Sequence, residues 1–465
     1  MEGNHRRIFR DAIHGNIDVN PFEVSIINTK IFQRLRYLKQ TPSVSYVYHS
    51  ANHSRFEHSI GTVHIAELYA QNLNIHNPHK EILRLAALLH DIGHGIFSHL
   101  YDNTIFCKIY PDIKHGHDKH RIKIITEYLP IVLLDMYKKD TIIDLLKISG
   151  LESYIKFNID IEEGIHNIMR DVVKILTGED NVCYNIIHGP LGCDRLDFIK
   201  RDSYFCGTCH YGGFPLDRFI LYSSLKKNSD EEKILCYSSK LLDDILLFLI
   251  NRFHMFKNVY FHKTCRAVDT MLRQILTYSE DPLNLIQRTS NLNEFENLND
   301  ISLFYEIKNN QKNCENAFSL VERIMKRDLY KVLYDDVEIP NESQIKKHHI
   351  QELLQIIAEL KKEKIIELFK KNEGDTEIPS LFIDTPYEIK MSPLQELRYI
   401  NIFDENHGII KKYREIENER SFKQWDLPSF NIYRIYVDSH LNQMKLRPFA
   451  KQVKNIKEIE IDTQI

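Results

Sequence analysis

His90 and Asp91 stand side by side at the end of the apolar run from Leu85 to Leu89, followed by Gly93-His94-Gly95 and Phe97-Ser98-His99. Imidazole and carboxylate are ligands for borderline or hard divalent cations. Two neighbours share one ion only where a helix end presents both to a common cavity. The bare dipeptide is weak evidence, because His117-Asp118 repeats it nearby. The surrounding pattern carries more. Upstream lies His53-Ser54-Arg55-Phe56-Glu57-His58 and downstream Cys193-Asp194-Arg195-Leu196-Asp197-Phe198, so the chain supplies His, His-Asp and Asp in order. A cation held by such a set polarises a bound water or a phosphoryl oxygen, which is the chemistry of phosphoester hydrolysis.

The elements that must position these residues are helical. Phe56 to Leu73, Glu81 to Leu89, His120 to Tyr137, Lys240 to Phe256 and Thr264 to Tyr278 each place apolar residues three or four apart. Glycine and proline punctuate them at Asn77-Pro78, Gly93 to Gly95, Gly189-Pro190 and Gly212 to Pro215, so the loops between the motifs hold the site. From Asp281 to Asn313 the chain turns polar and Asn-rich. A helical pattern resumes from Phe318 to Tyr334, and a charged helix with one apolar stripe runs from about Ser343 to Lys371. Pro379 to Pro386 and Ser429 to Val437 read as short strands from their β-branched and aromatic content. The fold class expected is mainly α, with a helical core at 1–280, a helical extension at 281–340 and a smaller mixed α/β C-terminal region at 341–465.

Composition narrows the partners. A chain of 465 residues, 43% hydrophobic and 27% charged, can bury a large core. A formal charge of −4 gives no global attraction to nucleic acid or anionic membrane, so a polyanion must be held by a local basic cluster. That suits a small nucleotide better than a long duplex. Met1 to Arg7 has no apolar signal core and no run approaches the roughly 18 apolar residues of a membrane span, so a cytoplasmic or nuclear site is expected. Eight cysteines in no secreted-type framework read as reduced thiols. Cys206, Cys209 and His210 have a zinc-like spacing without a second ligand pair.

With His58, His90, Asp91 and Asp194 in this order, the chain resembles the HD-domain phosphohydrolases. Gly93-His94-Gly95 before Phe97-Ser98-His99 makes it similar to their deoxynucleoside triphosphate triphosphohydrolase branch, which includes the animal SAM-and-HD-domain enzymes. The likeness runs from about Phe9 to about Leu272. It implies hydrolysis of a deoxynucleoside triphosphate to deoxynucleoside and inorganic triphosphate, with a divalent metal on His58, His90, Asp91 and Asp194 and no organic cofactor. Iron, manganese, nickel, zinc and magnesium all suit such a set. The resemblance also implies that His117, Asp118 and His94 serve the proton transfers, and that Gln40, Arg55, His99, Arg195, Asp202, Arg252 and Tyr260 contact the substrate. Three residues depart from the family pattern: Asp118 stands for Glu, Arg195 for Lys and Phe198 for Tyr. An HD phosphatase or phosphodiesterase acting on another nucleotide, or a nucleotide-sensing scaffold without turnover, are the alternatives.

The same likeness implies a homo-oligomer, dimer or tetramer, with an activating nucleotide at a subunit interface. Arg7, Asn28, Gln33, Arg36, Arg218, His262 and Lys263 are the candidate contacts. Asn28 stands where the animal enzymes use Asp, and an amide brings an N–H₂ donor and no charge. Losing a charge-assisted hydrogen bond costs roughly 1.5–3 kcal/mol, about ten- to a hundredfold in affinity. Weak or absent activation by GTP is therefore expected.

Overall fold

Three helices carry the metal motifs, and each has a local reason to form. The helix Arg55–Asn72 begins where Glu57 closes a capping box on Ser54. His79–Leu89 is apolar on nearly every side, with Leu83, Leu85, Ala86, Ala87, Leu88 and Leu89 fully buried, and it forms the centre of the core. Each of its buried leucines contributes about 1.5–3 kcal/mol. Cys193–Phe205 packs across Arg55–Asn72, which in turn packs on His79–Leu89. The candidate metal ligands therefore sit where three helices meet, held by the core.

This architecture comes from a computed structural model that describes residues 7–156, 160–338, 350–374, 377–385, 396–419 and 431–454. Strands β1 (Arg7–Asp11) and β2 (Gly15–Val19) form a hairpin turning at Gly15, whose φ of +76° suits glycine. β3 (Ser223–Lys227) and β4 (Lys233–Ser238) form a second hairpin. β5 (Lys331–Glu338), β6 (Leu381–Asp384) and β9 (Asn431–Val437) make an antiparallel sheet in the order β5-β9-β6, covered by the helices Ile350–Glu373 and His440–Lys454. β7 (Asn401–Asp404) pairs with β8 (Ile409–Lys412) on one side and runs parallel to β4 on the other, with Tyr237 opposite Ile402. Strand pairing thus crosses the boundaries expected at 280 and 340. No helix among the described residues is long and apolar enough to cross a membrane.

Local readings fail where a second force competes. The helix expected over His120 to Tyr137 starts earlier, as Gly116–Lys123, then widens into a π turn at Ile124–Tyr128 before resuming as Leu129–Met136. Pro130 cannot donate to the ladder and its ring crowds the preceding turn, so the register shifts there. The pattern from Phe318 to Tyr334 is not one helix: Glu315–Met325 ends before Arg327, at φ +58°, and Val332 to Tyr334 join β5. Residues 343–349 of the charged helix, Pro386, and Ser429 with its neighbour at 430 lie outside the described residues.

Candidate active site

His58 Nε2 and His90 Nε2 face each other at 3.1 Å, with the rings edge-on at 82°. His58 Nδ1 gives its proton to Asp197 at 2.7 Å and His90 Nδ1 gives its own to the Ala87 carbonyl at 2.7 Å, so in the neutral rings both Nε2 atoms carry lone pairs. Carboxylate oxygens close the same space: Asp194 Oδ1 lies 3.1 Å from His58 and 3.6 Å from His90, and Asp91 contributes at 3.7 and 3.5 Å. Ligand atoms of His58, His90 and Asp194 lie close enough together to share an ion, while Asp91 stands beside them, drawn to Arg55 and His94. Burial by itself disfavours a charged His58, yet hydrogen bonds to Asp194 and Asp197 prevail and raise it to about 10. One proton satisfies only some of these acceptors; a divalent cation would satisfy the two imidazoles and the Asp194 carboxylate, so this donor set fits a metal, with Asp91 needing to turn from Arg55 to join it.

The support beneath this cluster is built from charge. Asp197, fully buried, accepts from His58, from Nε and Nη2 of Arg201 and from His14 of the β1–β2 turn, while Arg201 Nη1 reaches Asp11 at 2.9 Å. Such an outer partner fixes the tautomer and aim of a ligating imidazole. Gly61 permits the approach, since a Cβ there would lie 2.1 Å from Asp197 Oδ1. Asp197 stands inside a motif quoted from the sequence and Arg201 three residues beyond it, yet their spacing of four gave no sign of this role. On the cavity side, Arg55 donates to Asp91 at 2.5 Å and to Ser98 at 2.8 Å. Ser98 and Phe97 both have positive φ, near +57°, and the loop is held there by Asp300, which accepts from the Phe97 and Lys39 amides.

A second cluster lies beside the first. His94 stacks on His117 with centroids 3.9 Å apart, and His99 stands edge-on to both. Asp102 accepts from the His117 amide at 3.0 Å and from Nδ1 at 2.7 Å, with His99 Nδ1 at 3.4 Å. Burial raises a carboxyl, but the bonds from His117 and His99 outweigh it and hold Asp102 well below the usual carboxylate range. This corrects the sequence pairing of His117 with Asp118. Asp118 is 3.7 Å from Nε2, half exposed and bound to Arg121 at 3.0 Å. Asp102 escaped notice because it belongs to no quoted motif, although it follows His99 by three residues and so shares its helical face. Burial beside Arg55 keeps His94 uncharged.

Gly93 locks the two clusters together. A Cβ there would lie 2.2 Å from the His117 carbonyl and 2.6 Å from the Arg121 amide, both backbone atoms of the next helix. Gly93→Ala is expected to cost about 1–3 kcal/mol in a denaturation midpoint. Turnover should fall about 10²-fold from misplacement of His117. Unchanged turnover would show that the helices give way freely.

One cavity of about 1250 Å³ joins these groups. His90, Asp91 and Asp194 line it, as do the proton-transfer and substrate candidates other than Arg252, while His58 lies beneath its floor. Asp202 accepts from His53 at 2.7 Å and from the Tyr260 hydroxyl at 2.5 Å, and Gln40 Oε1 is buried without a partner. Arg195 and Arg252 are not free: Glu396 takes one N–H from each, at 2.6 and 2.9 Å. The activator candidates are less gathered. Gln33 binds Arg36, which lies over Phe56; Arg218 pairs with Asp244; His262 caps its own helix; Arg7, Asn28 and Lys263 are exposed. Among the described residues Cys206, Cys209 and His210 form no metal-binding group, and the trio His79, Asp180 and Cys183 is already joined by hydrogen bonds.

Residues 55–144 match the HD domain and 246–366 the HD associated region, in keeping with the helices and the His/Asp cluster described above. The chain is similar to the deoxynucleoside triphosphate triphosphohydrolase SAMHD1 homolog of Dictyostelium discoideum, at 29% identity over 336 residues, covering 70% of this chain and 59% of that one. Human SAMHD1 is 24% identical over 403 residues, with 79% and 61% covered. An uncharacterized protein of Methanocaldococcus jannaschii is 32% identical over 334 residues, with 70% and 59% covered. The chain thus spans about three fifths of the length of these curated relatives. Among solved structures, a hypothetical protein from Aquifex aeolicus aligns over 96% of this chain and 99% of its own, at 26% identity and a TM-score of 0.67.

Proposed function

We propose that the chain hydrolyses deoxynucleoside triphosphates to deoxynucleoside and inorganic triphosphate, as the names of its SAMHD1 relatives state for them. The observation that carries the reading is the junction of the converging His58, His90 and Asp194 with a carboxylate-aimed histidine beside one cavity. His58, His90 and Asp194, with Asp91 beside them, would hold a divalent cation, which when bound would supply charge neutralisation and lower the pKa of a water. The residues do the rest. Asp102 accepts from His117 Nδ1–H, so in the doubly protonated ring Nε2–H is left for the cavity; its proton passes to the leaving 5′-oxygen as the bond from the α-phosphorus breaks, and the ring is left neutral with its proton on Nδ1. Arg195 and Arg252 supply guanidinium donors for the phosphate oxygens. Gln40, with its unpartnered oxygen, and Asp202, with Tyr260 fixed on it, face the sugar. His99, half exposed at the cavity mouth, meets the phosphate chain.

Attack at the α-phosphorus makes triphosphate the expected primary product, read by ion-exchange chromatography of a reaction with a single deoxynucleoside triphosphate. Pyrophosphate or orthophosphate as the first product would contradict the reading. Activation at a subunit interface involves Gln33 and Arg36 within it, with Asn28 weakening guanine recognition. Turnover is therefore expected to change little with added GTP and to respond more in Asn28→Asp. Strong activation of the unmodified chain by micromolar GTP would overturn that assignment of Asn28.

A further inference from the structure

Glu396 stands between two arginines, Arg195 of the cavity lining and Arg252 outside that lining, and its position is peculiar. One carboxylate oxygen meets Arg195 and the other meets Arg252, so the group bridges two guanidinium ions as two oxygens of a phosphate would. The side chain is buried, at 9% exposure, and its neighbour Leu397 is wholly inside the core. Ile400 and Ile402 are also buried, and β7 follows at once, pairing with β4. The carboxylate is thus delivered by an anchored segment rather than by a wandering side chain.

The arginines need an anion. Each disfavours the other's charge, and Arg252 is held mostly out of solvent, so two bare guanidinium ions here would repel in a poorly screened space. Glu396 removes one charge of the two. It also leaves donors unused, since each arginine gives it a single hydrogen bond and Arg252 Nε is buried with no partner. A polyphosphate carries more charge and more acceptor oxygens than one carboxylate, so it can take the place over.

We infer that Glu396 is a resident carboxylate occupying the anion subsite of Arg195 and Arg252, which an incoming triphosphate group must displace, so that it sets the affinity of the cavity for polyphosphate. This rests on the functional reading above. On binding, Glu396 gives up both guanidinium contacts and the phosphate oxygens receive them, with no covalent change. The same contact stabilises the empty cavity and opposes its filling.

The test uses the full chain, Glu396→Gln, and inorganic triphosphate as the probe. Calorimetry is expected to give a dissociation constant about tenfold lower for the variant, and steady-state kinetics a KM for deoxynucleoside triphosphate lowered in the same ratio. Without ligand the variant should melt earlier than the unmodified protein, and triphosphate should raise its melting temperature by the larger amount. Glu396→Ala, which cannot hydrogen-bond the arginines, should bind triphosphate at least as tightly as Glu396→Gln. A purely structural ion pair would give the earlier melting with unchanged or weaker triphosphate binding, and that result would overturn the inference alone. Failure of triphosphate to bind any of the three proteins, by a route lost in Arg252→Ala, would overturn the functional reading as well.

Discussion

Asp91→Ala and His90→Ala proteins are expected to keep their helical content while losing both bound divalent metal and hydrolysis. The ligands converge on a point that no backbone atom supports, so removing one leaves an incomplete set. Asp91 also holds Arg55, so its loss frees a buried guanidinium next to the remaining histidines. Elemental analysis and product assay on the same preparation read the two effects together. The outer partner should act more gently: Asp197→Asn keeps every ligand but weakens the aim of His58, and a loss of about 10- to 100-fold in metal affinity is expected. Full activity in metal-free Asp91→Ala protein would sink the assignment of the metal centre.

Asp102→Asn is the second change with a large expected effect. An amide in place of the carboxylate turns an N–H₂ toward His117 Nδ1 or accepts from it without charge, so the negative charge that supports the doubly protonated ring, the form from which Nε2 donates, is lost. Turnover should fall about 10²- to 10⁴-fold with metal content unchanged, as it should for His117→Ala. The double variant should be little worse than either single one, because the two residues act as a unit. Asp118→Asn, half exposed and bound to Arg121, should cost less than about threefold by comparison with that range. The opposite ranking of Asp102 and Asp118 would restore the pairing suggested by adjacency in the chain.

What could be read in advance follows from the range of the forces involved. The helices at Arg55–Asn72, His79–Leu89 and Lys263–Ser279 were legible because burial on a helix repeats every three or four residues. Their motifs lie at helix ends, so order along the chain was enough to suggest a ligand set. Asp102 was not legible, since only the turn through Phe97 and Ser98 brings it under His117. Glu396 was hidden for a stronger reason: 201 residues separate it from Arg195, and no local pattern encodes such a contact. The strand β4 was missed because Lys233 to Ser238 has little alternation of its own and is fixed by partners on either side. Asn28 and Arg218, both proposed from the sequence as activator contacts, share no contact in the structure: Asn28 is exposed and Arg218 pairs with Asp244.

The parallel pairing of β4 with β7 sets a timetable for synthesis. Ile402 leaves the ribosome 165 residues after its partner Tyr237, the difference of the two positions. At about 5–20 residues per second that delay is on the order of 10–30 s. Throughout it the nascent helical half carries a hairpin with one unpaired edge, the kind of surface that recruits neighbouring chains or chaperones. Slower translation after residue 280 lengthens the exposure, and polypeptides halted there should accumulate in aggregates although their helices have formed.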